Sequence, residues 1–133
     1  MLGGCASDMY AVSVMADFVA QHYLTVPDPG PEGEIHSHHY EAELTLSGPE
    51  LDEYDYLVDI EAVEGVLAEV RARYEDELLN DQPTFEGHNP SVEHFARVVW
   101  NLTVDELDTD HLSTLTVTIH EDDDAWAAYE DSV

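Results

Sequence analysis

Positively charged residues are almost absent from this sequence. It has no lysine and only three arginines, Arg71, Arg73 and Arg97, against 31 aspartates and glutamates, which gives its 133 residues a formal charge of −28. Binding to the phosphates of DNA or RNA requires a basic surface, and docking on anionic lipids requires one too. We therefore expect neither a nucleic acid nor a membrane as partner.

Cysteine and long apolar runs are also scarce. Cys5 is the only cysteine, which excludes an intramolecular disulfide and a cysteine-type zinc site. No window reaches the roughly 20 apolar residues that cross a bilayer. Residues 1–8 carry no basic and apolar signal segment, so we expect them to form a tail before one domain over residues 9–133.

Acidic residues, by contrast, occur along the whole chain, from Asp8 to Asp131. The sequence is nevertheless 44% hydrophobic and 9% aromatic, which is too apolar for a disordered acidic tail and predicts a packed core. Self-repulsion in such a domain is screened at molar salt, where the Debye length falls to about 3 Å. These features are typical of a protein of a high-salt cytoplasm.

The apolar periodicity predicts four strands and two helices in the order β-β-α-α-β-β. Strands are expected at residues 9–18 with an extension to 24, at 36–46, at 115–121 and at 125–129. The first helix follows Asp59 as its N-cap and extends to about Leu79, and the second opens at Asn89-Pro90-Ser91 with the proline in its first turn. This order predicts an α+β domain, an antiparallel sheet with both helices on one face. The other face is expected to be covered by another subunit.

The second predicted strand contains His36 and His38. Residues two apart in a strand project to the same side, and antiparallel pairing would bring His22, at the end of the preceding strand, alongside them. Three neutral histidines leave a fourth tetrahedral position for water or substrate, which is typical of a catalytic zinc site. The alternative is a strand that is merely polar, in which His39 belongs to a nonspecific cluster.

Glu121 is the second unusual position. Strand parity places it on the apolar face with Leu115, Val117 and Ile119. A carboxylate there is costly unless it meets donors, and a ligand with paired N–H groups would supply them. The alternative is fraying of the strand before Asp122, which would turn Glu121 to solvent.

Several short segments then occur in a characteristic order. They are Phe18-x-Ala20-x-His22-x-Leu24, His36-Ser37-His38-His39-Tyr40, Val58-Asp59-Ile60, Leu79-Asn80-Asp81, Asn89-Pro90-Ser91-Val92-Glu93, and Glu121 with Trp126 and Tyr129. In order and spacing, this set resembles the 6-pyruvoyltetrahydropterin synthase / 6-carboxytetrahydropterin synthase family over nearly the whole chain.

The resemblance implies a tunnelling fold, in which the sheets of several protomers form a barrel. It implies a homo-oligomer, such as a hexamer built as a dimer of trimers, with active sites at the interfaces. It also implies Zn²⁺ held by His22, His36 and His38, a pterin ring held by Glu121, and Ser91 near the pterin end.

The activity that the resemblance implies is a zinc-dependent carbon-oxygen or carbon-carbon lyase acting on 7,8-dihydroneopterin triphosphate or a related pterin. One branch of the family forms 6-pyruvoyltetrahydropterin. The other forms 6-carboxy-5,6,7,8-tetrahydropterin, a precursor of the tRNA bases queuosine and archaeosine, and is favoured here because the chain resembles those of salt-loving archaea. The alternatives are 6-hydroxymethyl-dihydropterin formation and a non-catalytic zinc- or pterin-binding paralogue.

The sequence also departs from the family pattern. The family's catalytic cysteine is missing, and Glu32 and Glu34 stand four and two residues before His36. One branch uses glutamate in this region and is associated with a 6-hydroxymethyl product, so either residue is a candidate base, unless both are ordinary loop residues. The family's Asp-His pair corresponds to Glu75-Asp76, which leaves Asp76 as a candidate proton relay if its pKa is raised. Three arginines also suit a triphosphate poorly, so a dephosphorylated pterin stays open.

Overall fold

The computed structural model describes residues 8–133, so most of the predicted tail, residues 1–7, lies outside the described part. The main elements follow the predicted β-β-α-α-β-β order. They are β1 (Tyr10–His22), β2 (His36–Gly48), α1 (Ile60–Tyr74), α2 (Val92–Glu106), β3 (Thr114–His120) and β4 (Trp126–Ser132), with short 3-10 turns at Gly30–Gly33, Leu79–Asp81 and Pro83–Phe85.

The four strands form one antiparallel sheet in the order β1-β2-β3-β4. β1 and β2 pair over their full length of 13 residues, from Tyr10 opposite Gly48 to His22 opposite His36. β3 pairs with β2 only as far as Glu41, which lies opposite His120. Residues 36–40 of β2 therefore extend beyond the end of β3.

Both helices cover one face of this sheet, as predicted. α1 packs on β1, and α2 packs on β3 and β4. Strand residues alternate between buried and accessible because successive side chains point to opposite faces. The buried side chains are apolar and include Leu44, Leu46, Leu115, Val117 and Ile119 from the sheet and Val63, Val70, Phe95 and Val99 from the helices.

The opposite face of the sheet is polar. Ser13 and Thr45 are hydrogen-bonded across β1 and β2 at 2.7 Å, and the Thr116 hydroxyl donates to Glu130 at 2.6 Å across β3 and β4. Coverage of this face by a second subunit stays a prediction. No helix in residues 8–133 has the length and apolar character needed to cross a membrane.

The predicted end of the first helix is wrong by five residues, since α1 ends at Tyr74 and not at Leu79. Asp76 adopts a φ of 62°, a left-handed conformation that aspartate tolerates. Its N–H donates to Val19 O at 2.7 Å, and Gln21 N–H donates to Glu77 O at 2.9 Å. The chain therefore leaves the helix to run beside the edge of β1.

Several other predicted boundaries need correction, among them that of the first strand, which ends at His22 and not at residue 24. The second helix starts after Ser91, whose hydroxyl accepts from His94 N–H at 3.1 Å, so Ser91 is the N-cap and Pro90 precedes the helix. β3 ends at His120, so Glu121 is the first residue beyond the strand. β2 and β4 extend to Gly48 and Ser132, beyond the predicted 46 and 129.

Asp59 caps α1 through a hydrogen bond from Glu61 N–H to its carboxylate at 3.0 Å. We expect Asp59→Ala to lower the free energy of unfolding by about 1 kcal/mol, because this N–H loses its acceptor. Denaturant unfolding at molar KCl measures the change. Glu64→Ala removes an equal charge from an exposed position of the same helix and should change stability by less than about 0.5 kcal/mol. Equal losses in both variants would contradict the capping role.

Candidate metal centre and ligand cavity

Three histidine rings meet at one end of the sheet. The register of β1 and β2 places His22 opposite His36 and Ala20 opposite His38. The ring centroids of the three histidines lie 4.6 to 5.0 Å apart. One ring nitrogen from each lies within 4.8 Å of those of the other two, which is close enough for all three to bind one ion.

Backbone carbonyls orient two of these rings. His22 Nδ1 lies 2.9 Å from Pro90 O, and His36 Nδ1 lies 2.8 Å from Glu34 O. A carbonyl oxygen only accepts hydrogen bonds, so each Nδ1 carries the hydrogen and donates it. In a neutral ring, Nε2 is then unprotonated and free to bind a metal, an arrangement common around metal-binding histidines.

The three Nε2 atoms are the part of the site most in need of a ligand. Those of His22, His36 and His38 are buried and have no hydrogen-bond partner among residues 8–133. Buried polar atoms without a partner are rare in folded proteins. Three such atoms facing one point fit a divalent metal ion, which would coordinate all of them.

Burial lowers the pKa of His22, a residue that is only 2% exposed. The hydrogen bond to Pro90 acts in the opposite direction and raises this pKa. The neighbouring His36 and His38 lower it further. A lowered pKa favours the neutral imidazole, which is the form that binds metal. The environment of His22 thus favours the neutral ring, which can act as a metal ligand.

Glu32 and Glu34 occupy different positions, although only one residue separates them. The Glu32 carboxylate lies with His38 and Glu121 in a second group whose potential ligand atoms are all within 4.8 Å of one another. Its backbone carbonyl accepts from Leu24 N–H at 2.8 Å, which ties the turn to the end of β1. The Glu34 side chain belongs to neither group found among residues 8–133, and its backbone carbonyl orients His36.

Asp76 and Ser91 belong to neither of the two ligand groups found among residues 8–133, although Ser91 directly follows Pro90, whose carbonyl accepts from His22. Asp76 is exposed in the turn after α1 and belongs neither to the two ligand groups nor to the lining of the cavity described below. Ser91 acts as the N-cap of α2, and its hydroxyl is occupied by His94 N–H. The roles predicted for both residues stay predictions.

Glu121 lies beside the histidines, held by a tight turn rather than by the strand. Its N–H donates to Ala125 O at 3.0 Å, and the Asp122 carboxylate accepts from the N–H groups of Asp124 and Ala125 at 2.8 and 2.9 Å. Glu121 Oε1 lies 3.4 Å from His38 Nε2, and its side chain is 22% exposed. The turn therefore keeps this carboxylate near the cluster although β3 has already ended.

A cavity of about 550 Å³ lies where β3 stops against the longer β2. His38 and Glu121 are among its lining residues, whereas His22 and His36 are not. A smaller cavity of about 170 Å³ includes Glu121 together with Glu93 from α2. The larger one is lined by Asp17, Ser37, His38, His39, Glu41, His120, Glu121, Asp122 and Asp123.

One further residue of the site, Tyr40, was not predicted. The Tyr40 hydroxyl lies 3.3 Å from His22 Nδ1, and burial, with a contribution from Glu121, raises the Tyr40 pKa, so this group stays protonated. Its position two residues after His38 already placed it on the same face. His39 points to the opposite face and pairs with Asp17 at 2.6 Å, a hydrogen bond that lowers the Asp17 pKa. His39 is thus separate from the three clustered rings.

The fold and the site define an α+β protein with a potential three-histidine metal centre beside a carboxylate-lined cavity. The family model described as 6-pyruvoyl tetrahydropterin synthase matches residues 11–132, and the chain belongs to this family. A curated relative, the 6-carboxy-5,6,7,8-tetrahydropterin synthase of Bacillus subtilis (strain 168), is 28% identical over 94 residues. That match covers 68% of this chain and 62% of the relative, which is less than two thirds of the relative's length.

Solved structures show the same tunnelling fold. The 6-pyruvoyl tetrahydropterin synthase of Caenorhabditis elegans superposes with a TM-score of 0.82 at 20% identity, covering 93% of this chain and 96% of that one. A Plasmodium vivax 6-pyruvoyltetrahydropterin synthase, described as a catalytic residue mutant with glutamate replaced by alanine, gives a TM-score of 0.80 at 14% identity. It covers 94% of this chain and 99% of that chain.

The lowered pKa of His22 gives a direct spectroscopic prediction. In metal-free protein, the ring protons of His22 should titrate with a midpoint below the ordinary value of 6.5, because burial disfavours the charged ring. Histidine NMR across a pH series measures the midpoint, with the histidine of a short unstructured peptide in the same salt as the control. A midpoint at or above the control value would contradict the neutral state inferred for this ring.

Proposed function

We propose that this protein is a zinc-dependent pterin enzyme that forms 6-carboxy-5,6,7,8-tetrahydropterin from a dihydroneopterin compound. The observation that carries the proposal is the convergence of three unpartnered Nε2 atoms, from His22, His36 and His38, beside Glu121. Family membership supports the pterin chemistry, and the name of the Bacillus subtilis relative supports the 6-carboxy product.

Zn²⁺ is the metal that suits this donor set. It favours imidazole nitrogen and tetrahedral coordination, so three histidines leave one position open. When bound there, zinc supplies a Lewis acid for the hydroxyl groups of the substrate side chain. The histidines themselves contribute neutral Nε2 donors, oriented through Nδ1 in His22 and His36.

Glu121 is proposed to hold the pterin ring. The ring presents two neighbouring N–H groups on one edge, and a carboxylate accepts two parallel hydrogen bonds from such an edge. The turn around Asp122 fixes the backbone of Glu121 before any ligand arrives. A ligand bound to Glu121 would lie next to His38, which is 3.4 Å away.

Glu32 is proposed as the general base. Its carboxylate is close to His38 and Glu121, and so adjoins both the metal ligands and the pterin-binding group. A carboxylate there can accept a proton from the substrate side chain and return it. The Plasmodium vivax variant, whose replaced glutamate is described as catalytic, supports a glutamate in this role. The role of Asp76 as a proton relay is supported only by its position in the sequence.

The absence of a cysteine from this region, together with the proposed role of Glu32, supports a second candidate product, 6-hydroxymethyl-dihydropterin. Both products arise from the same site, so product analysis separates them. In either case we propose that the chain assembles as a barrel-forming homo-oligomer in a high-salt cytoplasm. The 6-carboxy product would serve the synthesis of queuosine or archaeosine.

Zinc binding is tested by metal analysis. The unmodified protein should bind one zinc ion per chain through its three histidines, and His36→Asn should weaken this binding by at least about 100-fold, because it removes a direct ligand. His39→Asn is the matched control, since the neighbouring ring points to the opposite face and contacts Asp17. Retention of tight zinc binding by His36→Asn would rule out the proposed centre.

Turnover tests the enzymatic proposal and the choice of base together. Zinc-loaded protein is incubated at high salt with dihydroneopterin and with its triphosphate, and the products are identified by chromatography and mass spectrometry. We expect Glu32→Gln to lower kcat by about 10²- to 10⁴-fold, the usual contribution of a general base. Glu34→Gln, the control, should retain kcat within about threefold, a small change for a residue outside the proton path.

A larger loss in Glu34→Gln than in Glu32→Gln would assign the base to the other glutamate. Absence of any pterin product from the unmodified protein would refute the enzymatic proposal. Zinc and pterin binding would then identify a non-catalytic member of the family.

A further inference from the structure

Two asparagines near the candidate metal centre have no part in the proposed function. Asn80 lies in a 3-10 turn after α1, and Asn89 lies just before the N-cap of α2. Both belong to the segments on which the family resemblance depends, and both are half-buried. Their side-chain amides contact residues 23–25, which follow His22 directly and which we call the exit segment.

Asn80 extends the edge of β1 with its side chain. The chain after α1 runs beside this edge, where Gln21 N–H donates to Glu77 O at 2.9 Å. Further along, Asn80 Oδ1 accepts from Tyr23 N–H at 3.0 Å, and Asn80 Nδ2 donates to Tyr23 O at 3.0 Å. A side-chain amide has the same donor and acceptor as a peptide group, so it replaces the next backbone partner. Asn80 therefore uses both its oxygen and its nitrogen.

Asn89 contacts the other end of the exit segment through its oxygen alone. Its Oδ1 accepts from Thr25 N–H at 2.9 Å and from the Thr25 hydroxyl at 3.3 Å. A carboxylate oxygen would accept the same two hydrogen bonds, but it could not donate as Asn80 does. The two asparagines thus differ in which replacement each should tolerate.

The exit segment bears on the orientation of the His22 ring. Pairing with His36 fixes the backbone of His22, the last residue of β1, but the hydrogen bond to Pro90 O directs its ring. Pro90 is buried, and Leu79, next to Asn80, is fully buried, so the core fixes both anchors. The amide contacts to the exit segment then keep His22 within reach of Pro90.

We propose that Asn80 and Asn89 are positioning residues of the metal centre, which hold His22 in the orientation that binds the ion. The inference rests on the proposed function, because it concerns a ligand of the same site. Neither asparagine belongs to the two ligand groups found among residues 8–133, so both act through the exit segment. Replacement of residues that orient a metal ligand typically lowers metal affinity by about 10- to 100-fold.

The test measures the zinc affinity of the full-length protein at molar KCl, by competition with a fluorescent chelator. We expect Asn80→Ala, Asn80→Asp and Asn89→Ala each to lower the affinity by at least about tenfold, because each loses a hydrogen bond to the exit segment. Asn89→Asp should stay within about threefold of the unmodified protein, because its carboxylate still accepts from Thr25 and molar salt screens the added charge.

Two control variants separate positioning from a general loss of stability. Asp59→Ala removes the cap of α1, which contacts Glu61 and not the exit segment. Asn101→Ala removes an exposed asparagine of α2 whose side chain contacts Arg97. Both should keep the zinc affinity within about threefold of the unmodified protein, since neither residue contacts the chain around His22.

Hydrogen exchange at the His22 ring gives a readout that needs no metal. In the metal-free protein at molar KCl, NMR should show a protected Nδ1 hydrogen on His22, because it is buried and bonded to Pro90 O. Asn89→Asp should preserve this signal, whereas Asn80→Ala and Asn89→Ala should make the hydrogen exchange faster.

The outcomes separate this proposal from the proposed function. Unchanged zinc affinity in Asn80→Ala and Asn89→Ala, or an equal loss in Asp59→Ala, would overturn the positioning role and leave the zinc enzyme intact. Equal losses in Asn89→Asp and Asn89→Ala would also overturn it. An unmodified protein that binds no zinc would refute the metal centre. Unchanged exchange of the His22 hydrogen in Asn80→Ala would then refute the positioning role as well, and faster exchange would support it.

Discussion

The candidate site depends on the register between β1 and β2. His22, His36 and His38 share one face and meet because residue 22 lies opposite residue 36. In a strand, a slip by one residue moves every side chain to the opposite face. The register is maintained by 13 paired positions, whose inward side chains form the apolar core over much of their length. The packing that stabilises the domain therefore also brings together the three histidines of the candidate metal centre.

Local periodicity explains how much could be predicted. Strand parity alone placed His36, His38 and Glu121 on the face covered by the helices. The position of His22 also required the assumption that the first two strands pair antiparallel. The end of α1 was missed because Glu75 and Asp76 are compatible with a longer helix, and the helix stops where hydrogen bonds to Val19 and Gln21 capture the chain. These partners are more than 50 residues away, so no local pattern reports them.

The choice between Glu32 and Glu34 shows a second limit of sequence reasoning. Both lie within four residues of His36 and have the same chemistry. The 3-10 turn at Gly30–Gly33 and the bond from Leu24 to Glu32 decide which carboxylate reaches the cluster. A loop conformation of this kind cannot be predicted from the sequence, because it produces no periodic pattern. The family resemblance indicated the region, and the structure shows only that the Glu32 carboxylate, and not that of Glu34, lies near His38 and Glu121.

The five residues by which β2 outruns β3 have a consequence for solubility. Residues 36–40 of β2 pair only with β1. Their other edge is free, and such an edge is a template to which another chain can add a strand. Concentrated salt promotes such association because it screens the net charge of the molecule. The acidic turn at residues 121–124 adjoins this edge at short range, where screening is weakest. Charge repulsion by its carboxylates thus opposes the addition of another strand to this edge.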